Sequence, residues 1–336
     1  MGYGVGMTGP QPFDPLAPAH PTRVAVVGTG AVGSSFAFAL LLSGLASEIL
    51  LVDANERKAE GEAMDLMHAV PFARTAHVWS GPIDDCRGAA VTVISAGAAQ
   101  KPGESRLELV QKNAAIFRDI VPRVAEANPD GIILVATNPV DALTYLTYRI
   151  SGLPAERVIG SGTILDTARF RMLLAEHYGV DPRSVHAHMA GEHGDTEVPV
   201  WSSANIAGMA LEEFGTATGI GNDPDALEQI YADTRDAAYQ IIELKGATYY
   251  AVAAGLVRIV EAILRDQHTV LSVSSLIRDY HGISDVYLSL PAVIGRHGVE
   301  RIVPLALSAE EASGLRRSAA LLHETIGGLG LEPTPR

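Results

Sequence analysis

Val24-Ala25-Val26-Val27-Gly28-Thr29-Gly30-Ala31-Val32-Gly33 decides the fold. Its four opening apolar residues make the short unbroken run of a strand buried on both faces. An alanine-rich apolar helix follows to about Gly44, and a second strand, Glu48 to Val52, ends on Asp53. G-x-G-x-x-G says little alone. Placed between a strand and a helix, with an acid twenty positions beyond Gly33, it reads as a dinucleotide-binding turn. Gly28 permits the tight turn, Gly30 lets the backbone approach a pyrophosphate, and Gly33 lets the helix pack close on the strand. The pyrophosphate then meets the helix N-terminus, where free amides and the dipole favour negative charge. Asp53 is placed to accept hydrogen bonds from a ribose diol and to repel a 2′-phosphate. The expected cofactor is NAD rather than NADP.

Outward from this turn the βα rhythm continues. Glu56 to His68 is helical in pattern, Val91 to Ser95 is a strand, residues 106 to 127 are helical, and Ile132 to Ala136 is a strand stopped by Asn138-Pro139. Strands alternating with helices imply a parallel, doubly wound sheet. Beyond about residue 160 the pattern changes. Helices are expected at Thr163 to Tyr178, Asp223 to Leu244 and Thr248 to Asp266, and antiparallel strands at Val270 to Tyr280 and Val286 to Ile294. A last helix opens on the capping box Ser308-Ala309-Glu310-Glu311. The expected class is therefore α/β, with an N-terminal Rossmann-type parallel sheet over 22–160 and an α+β substrate domain over 161–330. Residues 1–21, rich in Gly and Pro, read as a disordered extension.

Composition narrows the function. The chain has 336 residues, and 47% are hydrophobic, enough for a large core. Its net charge of −14 argues against a nucleic-acid or anionic-membrane partner. The single cysteine, Cys86, excludes an intrachain disulfide and a cysteine-based metal cluster. No apolar run reaches membrane-spanning length, and no basic residue precedes Arg23, so no signal peptide is read. A cytoplasmic protein is expected.

The chemistry concentrates at residues 188–199, His-Met-Ala-Gly-Glu-His-Gly-Asp-Thr-Glu-Val-Pro. His193 stands among carboxylates on a glycine-rich backbone, poised to titrate near neutral pH. Zinc-binding spacing is not met by His186, His188, Glu192 and His193, and Gly191 interrupts any helix there, so no metal is expected. Asp166 and Arg169, three apart, share a helix face. They can pair with each other, or work apart, Asp166 orienting His193 and Arg169 clamping a substrate carboxylate through its planar fork. Across residues 95–113 a strand ends, a Gly/Pro loop bounded by Gly97, Pro102 and Gly103 carries Gln100 and Arg106, and a helix resumes. Such loops lie at the ligand-binding end of an open α/β sheet.

The chain resembles bacterial L-lactate dehydrogenases of the lactate/malate dehydrogenase superfamily. The likeness is carried by Val26 to Gly33, Gln100-Lys101-Pro102-Gly103-Glu104-Ser105-Arg106-Leu107, Ala136-Thr137-Asn138-Pro139-Val140-Asp141, Gly162 to Arg171, Gly191 to Glu197, and Lys245-Gly246-Ala247-Thr248. It spans about residues 22–325. The resemblance implies that His193 is the general acid/base, Asp166 its orienting partner, and Arg106 a lid residue that polarises the ketone. It implies that Arg169, Gln100, Asn138 and Thr248 bind substrate, and that Gly28, Gly30, Val32, Gly33, Asp53, Gly97 and Asn138 contact NAD. Arg171 and His186 match positions that bind fructose 1,6-bisphosphate in allosteric members, and both can donate to phosphate. A homotetramer is implied as well.

Gln100 bears on the substrate. Within that superfamily the residue at the Gln100 position separates lactate from malate enzymes: a second carboxylate, as in oxaloacetate, calls for an arginine there, and burying it opposite a neutral side chain costs several kcal/mol. Pyruvate and (S)-lactate are therefore the expected pair. The rival readings are a malate or other 2-hydroxy-acid dehydrogenase, and a catalytically silent NAD-binding relative.

Overall fold

A computed structural model describes residues 22–98 and 106–331, with the backbone alone for residues 106 and 107. The expected extension over 1–21 and the side chains of Gln100 and Arg106 lie outside the described residues. In chain order the elements are β1 (Arg23–Val27), α1 (Ala31–Ser43), β2 (Glu48–Val52), α2 (Glu56–Ala69), β3 (His77–Ser80), β4 (Ala89–Ile94), α3 (Arg106–Ala127), β5 (Ile132–Val135), α4 (Val140–Ser151), β6 (Val158–Gly160) and α5 (Ile164–Tyr178). Five two-residue strands follow: β7 (Val185–His186), β8 (Met189–Ala190), β9 (Val198–Pro199), β10 (Asn205–Ile206) and β11 (Met209–Ala210). Then come α6 (Leu211–Thr218), α7 (Pro224–Lys245), α8 (Tyr250–Leu264), β12 (Thr269–Ile277), β13 (Val286–Gly295), β14 (Gly298–Ile302) and α9 (Ala309–Gly327).

Strands β1 to β6 pair in parallel in the order β6-β5-β4-β1-β2-β3. Chain progression reverses between β1 and β4. In an open α/β sheet the crevice at that switch, beyond the carboxyl ends of the strands, is where ligands bind. Gly28, Ser95 and Gly97 all stand at this end of β1 and β4, and Asn138 just past β5.

The sheet does not stop at β6. Ser274 of β12 pairs antiparallel with Gly160, and β12, β13 and β14 continue as an antiparallel extension, making nine strands in all. The antiparallel pair is the one expected from the sequence, but its attachment to the parallel sheet was not read there, because a single register pair makes the join. All ten residues of β13 are buried, so helices cover both its faces.

Apolar side chains pack on both faces. Phe117, Val121, Leu143 and Leu146 from α3 and α4 meet Leu288 and Leu290 on one side. Phe36, Leu40 and Leu41 of α1 meet Leu256, Ile259 and Val260 of α8 on the other. A third cluster, around Phe170, Leu174 and Tyr178, seats α5 against the short strands. Cys86 is buried, as a small apolar residue would be. The Ser308–Glu311 capping box forms with both of its bonds.

Candidate active site

The glycine turn is built as its sequence requires. Gly28 has φ +100°, and a Cβ there would stand 2.4 Å from the Ala96 nitrogen. A Cβ on Gly33 would stand 1.9 Å from the Gly28 carbonyl oxygen. Nothing lies within 4 Å of a Cβ placed on Gly30, which caps α1 without a side-chain bond. The amides of the first turn therefore stay free for an anion. Ser95 Oγ donates to the Gly28 carbonyl at 2.8 Å and ties the ends of β1 and β4 together. Asp53 does more than wait for a ribose. Its Oδ2 accepts from Thr29 N and Oγ1 at 2.7 and 2.9 Å, and its Oδ1 from Asn55 N at 2.9 Å. Burial alone would raise its pKa, but the Asn55 and Thr29 bonds and the nearby Lys58 outweigh that and hold it below the usual carboxylate range. Val32 is half-buried in the first turn of α1, and Gly97 is exposed beyond β4.

The loop carrying His193 runs between β8 and β9, and four distant elements pin it. Gly191, at φ +97°, exchanges both backbone bonds with Ser289 of β13. Glu192 N donates to Ser318 Oγ of α9 at 2.6 Å. His193 N donates to Asp141 Oδ2 of α4 at 2.8 Å, and Asp141 Oδ1 accepts from Ser274 Oγ at 2.5 Å. The imidazole Nδ1 lies 2.6 Å from Asp166 Oδ2. The same carboxylate's Oδ1 accepts from Arg169 at 2.9 Å. The two readings of the Asp166–Arg169 pair were expected to exclude each other. They do not, because a carboxylate has two oxygens and Asp166 uses one for each partner.

This arrangement fixes the ring electrically. Burial lowers the affinity of His193 for its proton. The charge of Asp166 and its hydrogen bond overcome that, with Asp141 adding, and the pKa is pushed up to about 9. Burial likewise raises Asp166, but His193 and Arg169 hold it below its usual value. Asp141, wholly enclosed, is pushed up to about 6 by burial, against the pull of Ser274 and the His193 amide. An ionised carboxylate thus faces one nitrogen of a protonated imidazole, leaving the other to act on a ligand.

Family models match both halves of the chain. Residues 22–160 match the lactate/malate dehydrogenase NAD-binding domain, and 163–329 the lactate/malate dehydrogenase α/β C-terminal domain. The chain belongs to the lactate/malate dehydrogenase family. Among family members, the L-lactate dehydrogenase of Priestia megaterium is 54% identical over 303 residues, 90% of this chain and 95% of that one. The L-lactate dehydrogenase of Geobacillus kaustophilus is 55% identical over 305 residues, 90% of this chain and 96% of that one. The solved ligand-bound minor L-lactate dehydrogenase of Enterococcus mundtii superposes with a TM-score of 0.90 at 41% identity, covering 93% of this chain and 99% of its own.

Among the site residues expected from family resemblance, the structure brings His193, Asp166 and Arg169 into direct contact. Asn138 is exposed past β5. Its carbonyl accepts from Asn113 Nδ2 at 2.9 Å, while Asn113 Oδ1 takes Ala98 N at 2.7 Å. Asn113 thus joins the loops beyond β4 and β5, a role the sequence did not disclose. Thr248 is half-buried in the link between α7 and α8, with no hydrogen bond to His193 among the described residues. Arg171 Nε donates to the Ala187 carbonyl at 2.8 Å, and His186 is exposed beside it on β7. The half-buried neighbour His188 senses both. Burial first, then the charges of Arg171 and His186, push its pKa down to about 4. Sequence reading also missed Asp141, Ser274, Ser289 and Ser318, which carry the His193 loop, and Glu197, which faces it. Glu192 and Asp195, the acids nearest in sequence, turn to Thr196 and Tyr239 instead.

Proposed function

We propose that this chain is an NAD-dependent L-lactate dehydrogenase that interconverts pyruvate and (S)-lactate, with His193 as the proton donor and acceptor. The observation that carries this reading is Asp166 held between His193 Nδ1 and Arg169. High identity to L-lactate dehydrogenases over nine-tenths of the chain supports the same reaction. When bound at the Gly28–Gly33 turn, NADH would supply the hydride, and the open space at Gly30 and the free amides of α1 fit its pyrophosphate.

The residues divide the work. Asp166 keeps the proton on Nδ1 and so presents Nε2 to the substrate oxygen. It also stabilises the imidazolium, so that His193 enters reduction protonated and donates to the developing alkoxide. Arg169, anchored through one nitrogen on Asp166, keeps donors of its fork for the substrate carboxylate. Arg106 closes over the ketone and polarises it as water is expelled. Asn138 bonds near the carbonyl oxygen, and Gln100 and Thr248 bound the substrate's methyl end. Residues 22–160 hold NAD and lend Gln100, Arg106 and Asn138 to the substrate that 161–330 bind.

Fructose 1,6-bisphosphate is the effector, received by Arg171 and His186, and the working form is a cytoplasmic homotetramer serving fermentative glycolysis. Neutral Gln100 favours pyruvate over oxaloacetate. Arg169→Leu tests the assignment directly. The Michaelis constant for pyruvate should rise at least about 100-fold, as expected when a buried carboxylate loses its cation. An unchanged Michaelis constant would remove Arg169 from the site.

A further inference from the structure

Glu197 takes no part in the scheme above. It lies just before β9, is only 4% exposed, and its Oε1 has no hydrogen-bond partner. One of its carboxylate oxygens, one of Asp166 and a ring nitrogen of His193 all lie within 4.8 Å of one another. Helix α7 closes the other side, where the Tyr231 hydroxyl donates to the Glu197 main-chain carbonyl at 3.0 Å. The charged and titratable groups facing Glu197 are Asp166 and Arg169 from α5, His193 from its own loop, and Tyr231 and Arg235 from α7.

Two buried carboxyl groups this close do not both ionise at neutral pH. Asp166 holds the charge, because His193 and Arg169 both donate to it. Glu197, with an unpartnered oxygen, keeps its proton. An unpaired buried carboxylate would be costly there. Burial first and Asp166 second push its pKa up to about 9, against the pull of His193, Arg169 and Arg235.

We propose that Glu197 is a positioning residue of the proton-transfer site, a carboxyl that stays protonated while the substrate anion binds and whose ionisation closes the site at alkaline pH. The inference rests on His193 as proton donor and Arg169 as carboxylate holder. Ionised Glu197 would set a second buried negative charge beside Asp166, where the substrate carboxylate docks. Productive binding then needs two protons, one on His193 and one on Glu197.

The test is the alkaline limb of kcat/KM for pyruvate, in wild type and Glu197→Gln. Losing two protons steepens the wild-type limb to about 100-fold per pH unit, whereas the variant, neutral at every pH, falls about 10-fold per unit. Equal slopes of about 10-fold would overturn the proposal. Infrared difference spectroscopy of the wild-type protein decides the point even where the variant fails to fold. Asp141, pushed up to about 6, is already ionised at pH 8. A protonated-carboxyl carbonyl band present at pH 8 and lost near pH 9 supports the proposal, and no such band overturns it. A titrating band in a protein inactive on pyruvate would refute the lactate dehydrogenase reading while leaving the protonation of Glu197 standing.

Discussion

The backbone N–H of His193 donates to the buried carboxylate of Asp141 at 2.8 Å, across 52 residues of chain. Asp141 also accepts from Ser274, so one side chain of α4 ties the histidine loop to β12. Asp141→Ala leaves a buried N–H and a buried hydroxyl without this acceptor, which should cost about 1–3 kcal/mol for each group left unsatisfied. Denaturant unfolding should show the loss, and turnover should fall with it because the ring is held less firmly. Asp141→Asn keeps an acceptor oxygen and should lose less. Equal, near-zero losses for both variants would show that the bond does not hold the loop.

Gly30 and Gly33 separate cofactor binding from folding. A methyl on Gly30 meets no protein atom within 4 Å, whereas one on Gly33 meets the Gly28 carbonyl at 1.9 Å. Gly30→Ala should keep the wild-type melting temperature and weaken NADH binding at least about tenfold, since the backbone no longer approaches the pyrophosphate. Gly33→Ala should lower the melting temperature itself. Thermal unfolding and NADH fluorescence titration read the two effects separately, and a normal NADH affinity in Gly30→Ala would contradict the placement of the pyrophosphate.

Stability should fall as pH rises from about 4.5 to 9, through Glu197 from 4.5 and His193 from 6.5. His193 is raised from 6.5 to about 9 by Asp166 against the effect of burial, and Glu197 from 4.5 to about 9 by burial and then Asp166. Groups raised on folding stabilise fully below their unfolded pKa, and that contribution is lost as pH climbs through the folded one. Melting temperatures at pH 6.5, 7.5 and 9 should decline in order, and His193→Asn should flatten the decline. A flat wild-type profile would mean that the His193–Asp166 couple does not hold its proton.

Arg171 and His186 predict the effector response. Fructose 1,6-bisphosphate should lower the half-saturating pyruvate concentration in the wild type, and Arg171→Gln should abolish the effect while retaining unactivated turnover. Activation undiminished in the variant would move the effector elsewhere.

How much could be read in advance follows from how far apart the partners lie in sequence. The phosphate turn was legible because all of its parts, Gly28 to Asp53, fall in one βαβ unit with local periodicity. His193, Asp166 and Arg169 were legible through family resemblance, and Arg169 with Asp166 also through helical spacing. Asp141, Ser289 and Ser318 were not. Each acts across 52 to 126 residues or more from a buried element whose pattern reports only packing, as in Ser289 within an entirely buried strand. The attachment of the antiparallel strands to the parallel sheet was hidden for the same reason, its join to β6 being one register pair. Glu197 reads as one more acid in a polar turn until α5 and α7 are seen to enclose it.

The central claim is tested most directly by initial rates of NADH oxidation with pyruvate and with oxaloacetate, in the presence of fructose 1,6-bisphosphate. The account predicts kcat/KM for pyruvate at least about 100-fold above that for oxaloacetate, the discrimination expected when a second carboxylate meets no cation. Equal or greater efficiency with oxaloacetate, or oxidation with neither, would contradict it.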